Sequence, residues 1–571
     1  MALRPLPIGI DDFGDMIRDG YYYVDKSLFI KELWEKKGKV NLFTRPRRFG
    51  KTLTLSMLQR FFEDTGSEEE NSRNRALFDG LAIMEAGDAV TAQRNKYPVI
   101  SLSLKSARQP DKRLAFACLR EEIEREYKRH LKAADSLALS ADRRRFINMA
   151  EGQGREEDYV TALRFLSDCL YQAGGRRAVI LLDEYDVPLE NAYFNGFYKE
   201  MSDFIRSLFE SALKGNPSLE FAVVTGCLRI SKESIFTGLN NLNVVSILSD
   251  SYAEYFGFLE EEVERMLEDY GCEKSIDLMK KWYDGYCFGG REAYNPWSVV
   301  SYVNALAANP SAFPRPYWSN TSSNSIVKEL VKRADLSVKQ ELEELEQGKS
   351  IEKPIHEDVT YDTMYESQDN LWNFLFFTGY LKMVSMRMEG NTAYASLAIP
   401  NAEIASIYEN SIRSWFREEV GRRDLSRLYQ ALEAGDALVF EEELSGLLRQ
   451  TISFMDGRES FYHGFLLGVL GNMQDCLVKS NREAGNGRFD ICVRSLDVSR
   501  PPAVLELKAA AVFGQMDALC QEALAQIEEK GYDSGLAEEG YGGVWHFGIA
   551  FFKKQCRVKT AYRPLSPYSK I

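Results

Sequence analysis

Histidine is scarce in this chain: four among 571 residues, at positions 130, 356, 463 and 546. That leaves little material for histidine-built metal centres or for triads with an imidazole base. His463, beside an apolar helical run, reads as a core residue and not as a catalytic one. The nine cysteines (118, 169, 227, 272, 287, 476, 492, 520 and 556) are dispersed and form no C-x-x-C pair. Neither a zinc knuckle nor a disulfide framework is readable in that spacing, and a reducing compartment is expected. Positive charge is in deficit, with 71 Lys and Arg against 85 Asp and Glu and a formal net charge of -14. Such a chain is not coated in nucleic-acid-binding surface, so any such surface must be local. No apolar run approaches the length that spans a bilayer. The start, MALRPLPIGIDDFGDMIRDG, carries prolines and acids where a signal peptide needs a continuous apolar stretch. The expectation is a cytoplasmic protein with no membrane partner. Internal repeats and low-complexity tracts are also missing.

What is present is enough chain for several cores, and 45% hydrophobic with 27% charged residues is an ordinary globular balance. Five short apolar runs punctuate the first half: VNLF (40–43), PVISLSL (98–104), AVILL (178–182), FAVVT (221–225) and NVVSIL (243–248). Helical patterns between them predict an α/β unit with an open parallel sheet over residues 1–250. From 251 to 424 the pattern turns helix-rich with aromatic turns, as expected of a helical lid or small winged region. The charged stretch VKQELEELEQGKSIEK (338–353) reads as a solvated helix face. A third unit, 425–571, opens with helices and reaches a strand pair, RFDICVR (488–494) and AVLELKA (503–509), with Pro501 and Pro502 in the connection.

The strongest local signal is NLFTRPRRFGKTLTLSMLQRFF (41–62), a strand, a turn holding Gly50-Lys51-Thr52, and a helix with Leu55, Leu58 and Phe62 at helical spacing. Backbone N–H groups at such a helix start converge on phosphates, Lys51 would neutralise the terminal ones, and the Thr52 hydroxyl would hold Mg²⁺. The nucleotide-binding candidates are Arg45, Pro46, Arg47, Arg48, Phe49, Gly50, Lys51, Thr52 and Leu53. Arg45 stands where the common pattern has its first glycine. RRAVILLDEYDVPL (176–189) is a buried-type strand ending in Asp183, expected to hold metal, and Glu184, expected to be the base that polarises water. The next strand ends at Thr225, a candidate sensor of the terminal phosphate. Arg229 follows as a candidate transition-state cation or, equally, a surface ion pair.

In AVLELKA the strand period puts Glu506 and Lys508 on one face. Asp490, on the partner strand of a hairpin, can share a metal with Glu506. Two carboxylates and a main-chain carbonyl suit Mg²⁺, with Mn²⁺ as a substitute, and Lys508 can orient water and stabilise phosphodiester charge. Glu-x-Lys alone also describes an exposed ion pair. Helical segments on either side supply Glu459 as a further metal ligand, or an ordinary helix-start acid, and Gln526 and Tyr532 as groove-lining candidates.

Taken together, LPIGIDDFGDMIRDGYYYVDKSLFIKEL (6–33), TRPRRFGKTLTLSML (44–58), LLDEYDVPL (181–189), TGCLRISKESIFTGLNNL (225–242), WYDGYCF (282–288) and YNPWSVV (294–300) resemble the bacterial AAA-ATPase-like family. The end, ESFYHGFLLGVL, GRFDICV, AVLELKAA and ALAQIEEKGY, resembles its usual partner domain from the PD-(D/E)XK nuclease superfamily. The resemblance implies an AAA/STAND-like P-loop ATPase core, a helical or winged-helix-like middle and a restriction-endonuclease-like C-terminal domain. It also implies that Arg45 is the usual residue at its position, and that Asp490, Glu506 and Lys508 match the metal and catalytic positions, with Glu459 as the helical acid.

The function expected is ATP binding and hydrolysis coupled to metal-dependent cleavage of nucleic acid, with DNA the expected substrate. Two rivals differ in class. One is a nucleotide-dependent switch that grips nucleic acid or protein without cutting, and the other is an ATP-controlled assembly scaffold with a homo-oligomer as its output.

Overall fold

The computed structural model describes the chain apart from residues 1–2, 230–234, 237–238, 319–326, 328–335, 358, 362, 365, 421–423, 450–458, 472, 485–486, 534 and 566–571. It divides into two compact units: Met1–Ser323 with Ser350–Ser406, and Asn324–Lys349 with Ile407–Ile571. Among the described residues no helix is long and apolar enough to cross a membrane.

In the first unit the five apolar runs are the five strands β1 (Val40–Thr44), β2 (Val99–Ser103), β3 (Ala178–Asp183), β4 (Leu219–Gly226) and β5 (Leu242–Val245). They form one parallel sheet in the order β2-β3-β4-β1-β5. Every residue of β1 and β3 is buried, as a parallel sheet covered on both faces requires. Each such Val, Leu or Ile withdrawn from water contributes about 1.5–3 kcal/mol. Helix α1 (Lys51–Phe62) leaves β1 through a turn and buries Leu55, Leu58, Phe61 and Phe62 on one face. Helix α2 (Val187–Phe194) leaves β3, with a proline in its first turn where a missing N–H costs nothing. Helix α3 (Pro296–Ala308) is capped by Asn295, whose side chain accepts from Ser298 N. A ribbon of β6 (Tyr286–Phe288) and β7 (Arg291–Ala293), and a three-stranded antiparallel sheet of β8 (Ile351–Ile355), β9 (Lys382–Glu389) and β10 (Thr392–Ala398), complete the unit's strands.

The second unit holds the mixed sheet β11 (Cys476–Ala484), β12 (Gly487–Ser495), β13 (Ala503–Ala509), β14 (Gly543–Phe552) and β15 (Gln555–Pro564), in that order. Only β13 and β14 run parallel, and α5 (Met516–Lys530) connects them. One sheet face buries Ile491, Leu505, Leu507 and Ile549 in a core shared with Tyr462, Leu466 and Leu470 of α4 (Glu459–Leu470). The opposite face receives α5 at close range. Gly548 permits the approach, because a Cβ there would lie 2.2 Å from the Cys520 carbonyl oxygen.

Candidate active sites

The turn between β1 and α1 is built around two left-handed residues, Arg48 (φ 71°) and Gly50 (φ 79°). Arg45 does not adopt such a backbone, which explains why no glycine is needed there. Its N–H donates to the Gly226 carbonyl, and its side chain turns inward and is fully buried. The guanidinium donates to the Thr44 and Val245 carbonyls and lies 5.2 and 5.0 Å from the Phe256 and Phe288 ring centres. Burial lowers its pKa to about 9. Arg45 is therefore a core cation that pins β1 to β5, and its side chain is not turned to a ligand. Arg47 is held in an ion pair with the buried Glu190 of α2. Arg48 lies 4.6 Å above the Trp297 ring. Lys51 Nζ folds back onto the Arg45 and Pro46 carbonyls, 2.9 Å from each.

Because β4 lies between β1 and β3, Thr225 sits between the turn and the acids of β3. Asp183 accepts from Thr52 Oγ1 at 2.7 Å on one oxygen and from Thr225 Oγ1 at 2.5 Å on the other. Glu184 follows in a left-handed conformation (φ 51°), a strain that reaims its carboxylate. Burial first, and then the Asp183 charge, raises the Glu184 pKa. Asp186, which the sequence reading passed over, is wholly buried and accepts from Cys227 N and Leu228 N. It fixes the chain leaving β4 against the start of α2. Arg229 donates instead to Glu357 at 3.0 Å, and Ser246 holds the other Glu357 oxygen. Arg229 thus forms an ion pair with Glu357, one of the two alternatives open for it.

Beside this set lies a cleft of about 310 Å³, whose lining includes neither Asp183 nor Thr225. Arg47 to Leu53 and Glu184 line it, with Tyr22, Val24, Phe258 and Trp297 as apolar and aromatic wall. Arg45 and Pro46 are not among its lining residues. Lys105 and Arg108, just past β2, are, and the sequence reading missed both along with Trp297.

In the second unit, β12 and β13 pair antiparallel with Ile491 opposite Leu505, and Asp490 and Glu506 are the next residues beyond that pair on the two strands. Asp490 Oδ2 accepts from Leu507 N at 2.8 Å, and the His463 ring bonds to the Asp490 carbonyl at 2.9 Å. His463 thus positions the Asp490 main chain, a role that no local signal announced. Glu506 is 3% exposed, and its Oε2 has no hydrogen-bond partner among the described residues. Burial and the Asp490 charge raise its pKa to about 7 against the opposing pull of Lys508. Lys508 Nζ lies 3.5 Å from Glu506 Oε1 and donates to Gln526 Oε1 at 2.7 Å. Gln526 in turn donates to Glu506 and, at 3.3 Å, to the Tyr532 hydroxyl. Tyr532 is only 4% exposed and Gln526 is half-buried, and together they brace the Glu506 carboxylate and Lys508. Glu459 opens α4, but its side chain lies outside the described residues.

A divalent cation fits the second site: a buried carboxylate oxygen without a partner faces the cation-ligating chemistry of Asp490 and the adjoining main chain. Among the described residues no set of three or more acidic, histidine or cysteine side chains converges. A cation there would be held by the Asp490 and Glu506 carboxylates, with main-chain carbonyls and solvent completing the shell, as Mg²⁺ accepts.

The first unit thus carries a Gly-Lys-Thr turn on a parallel sheet, and the second an acid-acid-lysine set on a mixed sheet. Residues 7–236 match the AAA-ATPase-like family, described as predicted AAA-ATPase, and residues 457–561 match the PD-(D/E)XK nuclease superfamily. The chain carries one domain of each kind. It is also 27% identical over 446 residues to an "Uncharacterized protein in vnfD 5'region" of Azotobacter chroococcum mcd 1, covering 76% of this chain and 75% of that one.

Proposed function

We propose that the protein hydrolyses ATP in the cleft beside Lys51 and couples this to metal-dependent cleavage of nucleic-acid phosphodiesters at Asp490, Glu506 and Lys508, with DNA as substrate. The observation that carries the reading is that each unit sets a buried carboxylate in a site that also holds a lysine: Asp183 and Glu184 with Lys51 in the first, and Glu506 at 3.5 Å from Lys508 in the second. In the first, backbone N–H groups at the start of α1 and the Lys51 ammonium bind the phosphates once Lys51 exchanges its carbonyl partners for them. Thr52 and Asp183 would hold Mg²⁺, which neutralises charge on the terminal phosphates when bound. Glu184, with its raised proton affinity, takes a proton from water as the water oxygen bonds to the terminal phosphorus. The bond to the bridging oxygen breaks, giving ADP and inorganic phosphate.

In the second, Asp490 and Glu506 would hold Mg²⁺ or Mn²⁺, which polarises a phosphodiester and acidifies water when bound. Lys508, oriented by Gln526, stabilises negative charge on the phosphate and steers the attacking water. The test is a cleavage assay on labelled circular, linear and single-stranded substrates with Mg²⁺ or Mn²⁺, with and without ATP. Wild type is compared with Lys51→Ala and Glu506→Ala. Cutting that disappears in Glu506→Ala and changes in Lys51→Ala supports the coupled enzyme. Intact substrate throughout, with ATP consumed, makes the second unit a recognition module.

A further inference from the structure

The cleft is strongly cationic in a chain of net charge -14. Lys26, Arg47, Arg48, Lys51, Lys105 and Arg108 face only two acids on its lining, Asp11 and Glu184. Most of the cations are engaged. Lys26 is paired with Glu262, Arg47 with Glu190, Arg48 lies on Trp297, and Lys51 caps two carbonyls. Lys105 and Arg108 are exposed and form no ion pair among the described residues. Unpaired cations gathered at a concave site favour a polyanionic ligand.

The turn that carries them is fixed, not loose. Leu104 N donates to the Asp183 carbonyl at 3.0 Å, so the turn begins on the strand that ends in the catalytic acids. The side-chain amide of Asn191, on α2, donates to the Ala107 and Gln109 carbonyls and closes the turn from the other side. Ala107 between them is fully buried. Lys105 is also close enough to Glu184 to oppose the rise in its proton affinity. Two free cations are thus anchored by one main-chain bond to the end of β3 and by the Asn191 side chain of α2. Arg229, the cation expected after β4, is bound to Glu357 and does not line the cleft.

We propose that Lys105 and Arg108 bind the terminal phosphate of a nucleoside triphosphate and give the cleft its preference for tri- over diphosphate. The inference rests on the nucleotide reading above. In the reaction they hold the phosphoryl oxygens while water bonds to phosphorus, and they release inorganic phosphate after the bridging bond breaks. Lys51 and the α1 start also serve the phosphates that ADP carries, so loss of Lys105 and Arg108 alone separates the two ligands.

The test measures binding of ADP and of a non-hydrolysable ATP analogue to the full chain, wild type and Lys105→Ala/Arg108→Ala, by calorimetry with Mg²⁺ present. Both side chains are exposed, and equal thermal unfolding midpoints check that the variant folds. Loss of about two charge-assisted contacts predicts analogue affinity lower by about tenfold or more, with ADP affinity within about twofold of wild type. Lys105→Arg/Arg108→Lys restores most of the difference. An equal loss for both nucleotides, or no loss for either, overturns the assignment while leaving nucleotide binding intact. A wild type that binds neither nucleotide overturns both readings together.

Discussion

Asp183 accepts a hydrogen bond on each carboxylate oxygen, from Thr52 at 2.7 Å and from Thr225 at 2.5 Å, and so joins α1 to the end of β4. One carboxylate therefore registers both the helix that follows the turn and the strand beside it. Asp183→Asn replaces one acceptor by a donor facing a hydroxyl. It should lower steady-state phosphate release by about 10²-fold or more, while binding of ADP in EDTA stays near wild type. Phosphate release and metal-free calorimetry check the two halves.

In the second unit, Lys508→Ala should abolish cutting without unfolding the sheet, because Glu506 keeps its bond from Gln526. Retained cleavage would sink the site assignment. Mg²⁺ or Mn²⁺ should raise the thermal midpoint of this unit in wild type by mass action and fail to do so in Glu506→Gln. Scanning calorimetry with and without each cation, and after EDTA, reads the difference.

Trp297 shares the cleft wall with the Arg48 guanidinium. If a base stacks there, Trp297→Ala should weaken ADP and ATP-analogue binding alike, by about 1–3 kcal/mol, and Trp297→Phe should recover part of it. Fluorescent-nucleotide titration distinguishes this uniform loss from the triphosphate-selective loss expected of Lys105 and Arg108.

Glu403 is fully buried and accepts from Ser298 Oγ and Trp318 N. Burial raises its pKa from 4.5 to about 7. A carboxyl with a raised folded-state pKa is neutral in the fold at low pH, so its stabilising share is complete below about pH 4.5. That share is lost as pH climbs through about 7, a swing of order 3 kcal/mol. Thermal midpoints measured from pH 5 to 8.5 should fall for wild type and flatten for Glu403→Gln. Parallel curves for the two proteins would remove Glu403 as the cause.

The strands of the first sheet were legible because both faces are buried, which leaves continuous β-branched and aliphatic runs such as AVILL. Their order was not, since nothing local in FAVVT says that β4 inserts between β1 and β3. The acids and lysines of both candidate sites were picked out by strand ends and strand period. Arg229 was open between two fates, and its Glu357 partner lies 128 residues away, beyond any sequence window. Lys105 stands at the same carboxyl edge that drew attention to Thr225, so the signal was available on β2 and went unused. Gln526 and Tyr532 were found as part of the site, but whether they line a groove or brace it from behind depends on how closely α5 packs at Gly548.

The pairing of β12 with β13 also sets what this chain can tolerate in its own variation. Residues 496–502 join the two strands outside the ladder, so insertions there lengthen a surface connection at little cost. A single residue inserted between Asp490 and Val493 would turn Asp490 from the side it shares with Glu506 to the side packed with Leu505 and Leu507, burying a carboxylate among aliphatic side chains. Length changes among related chains should collect in that connection and spare the four-residue stretch beside it.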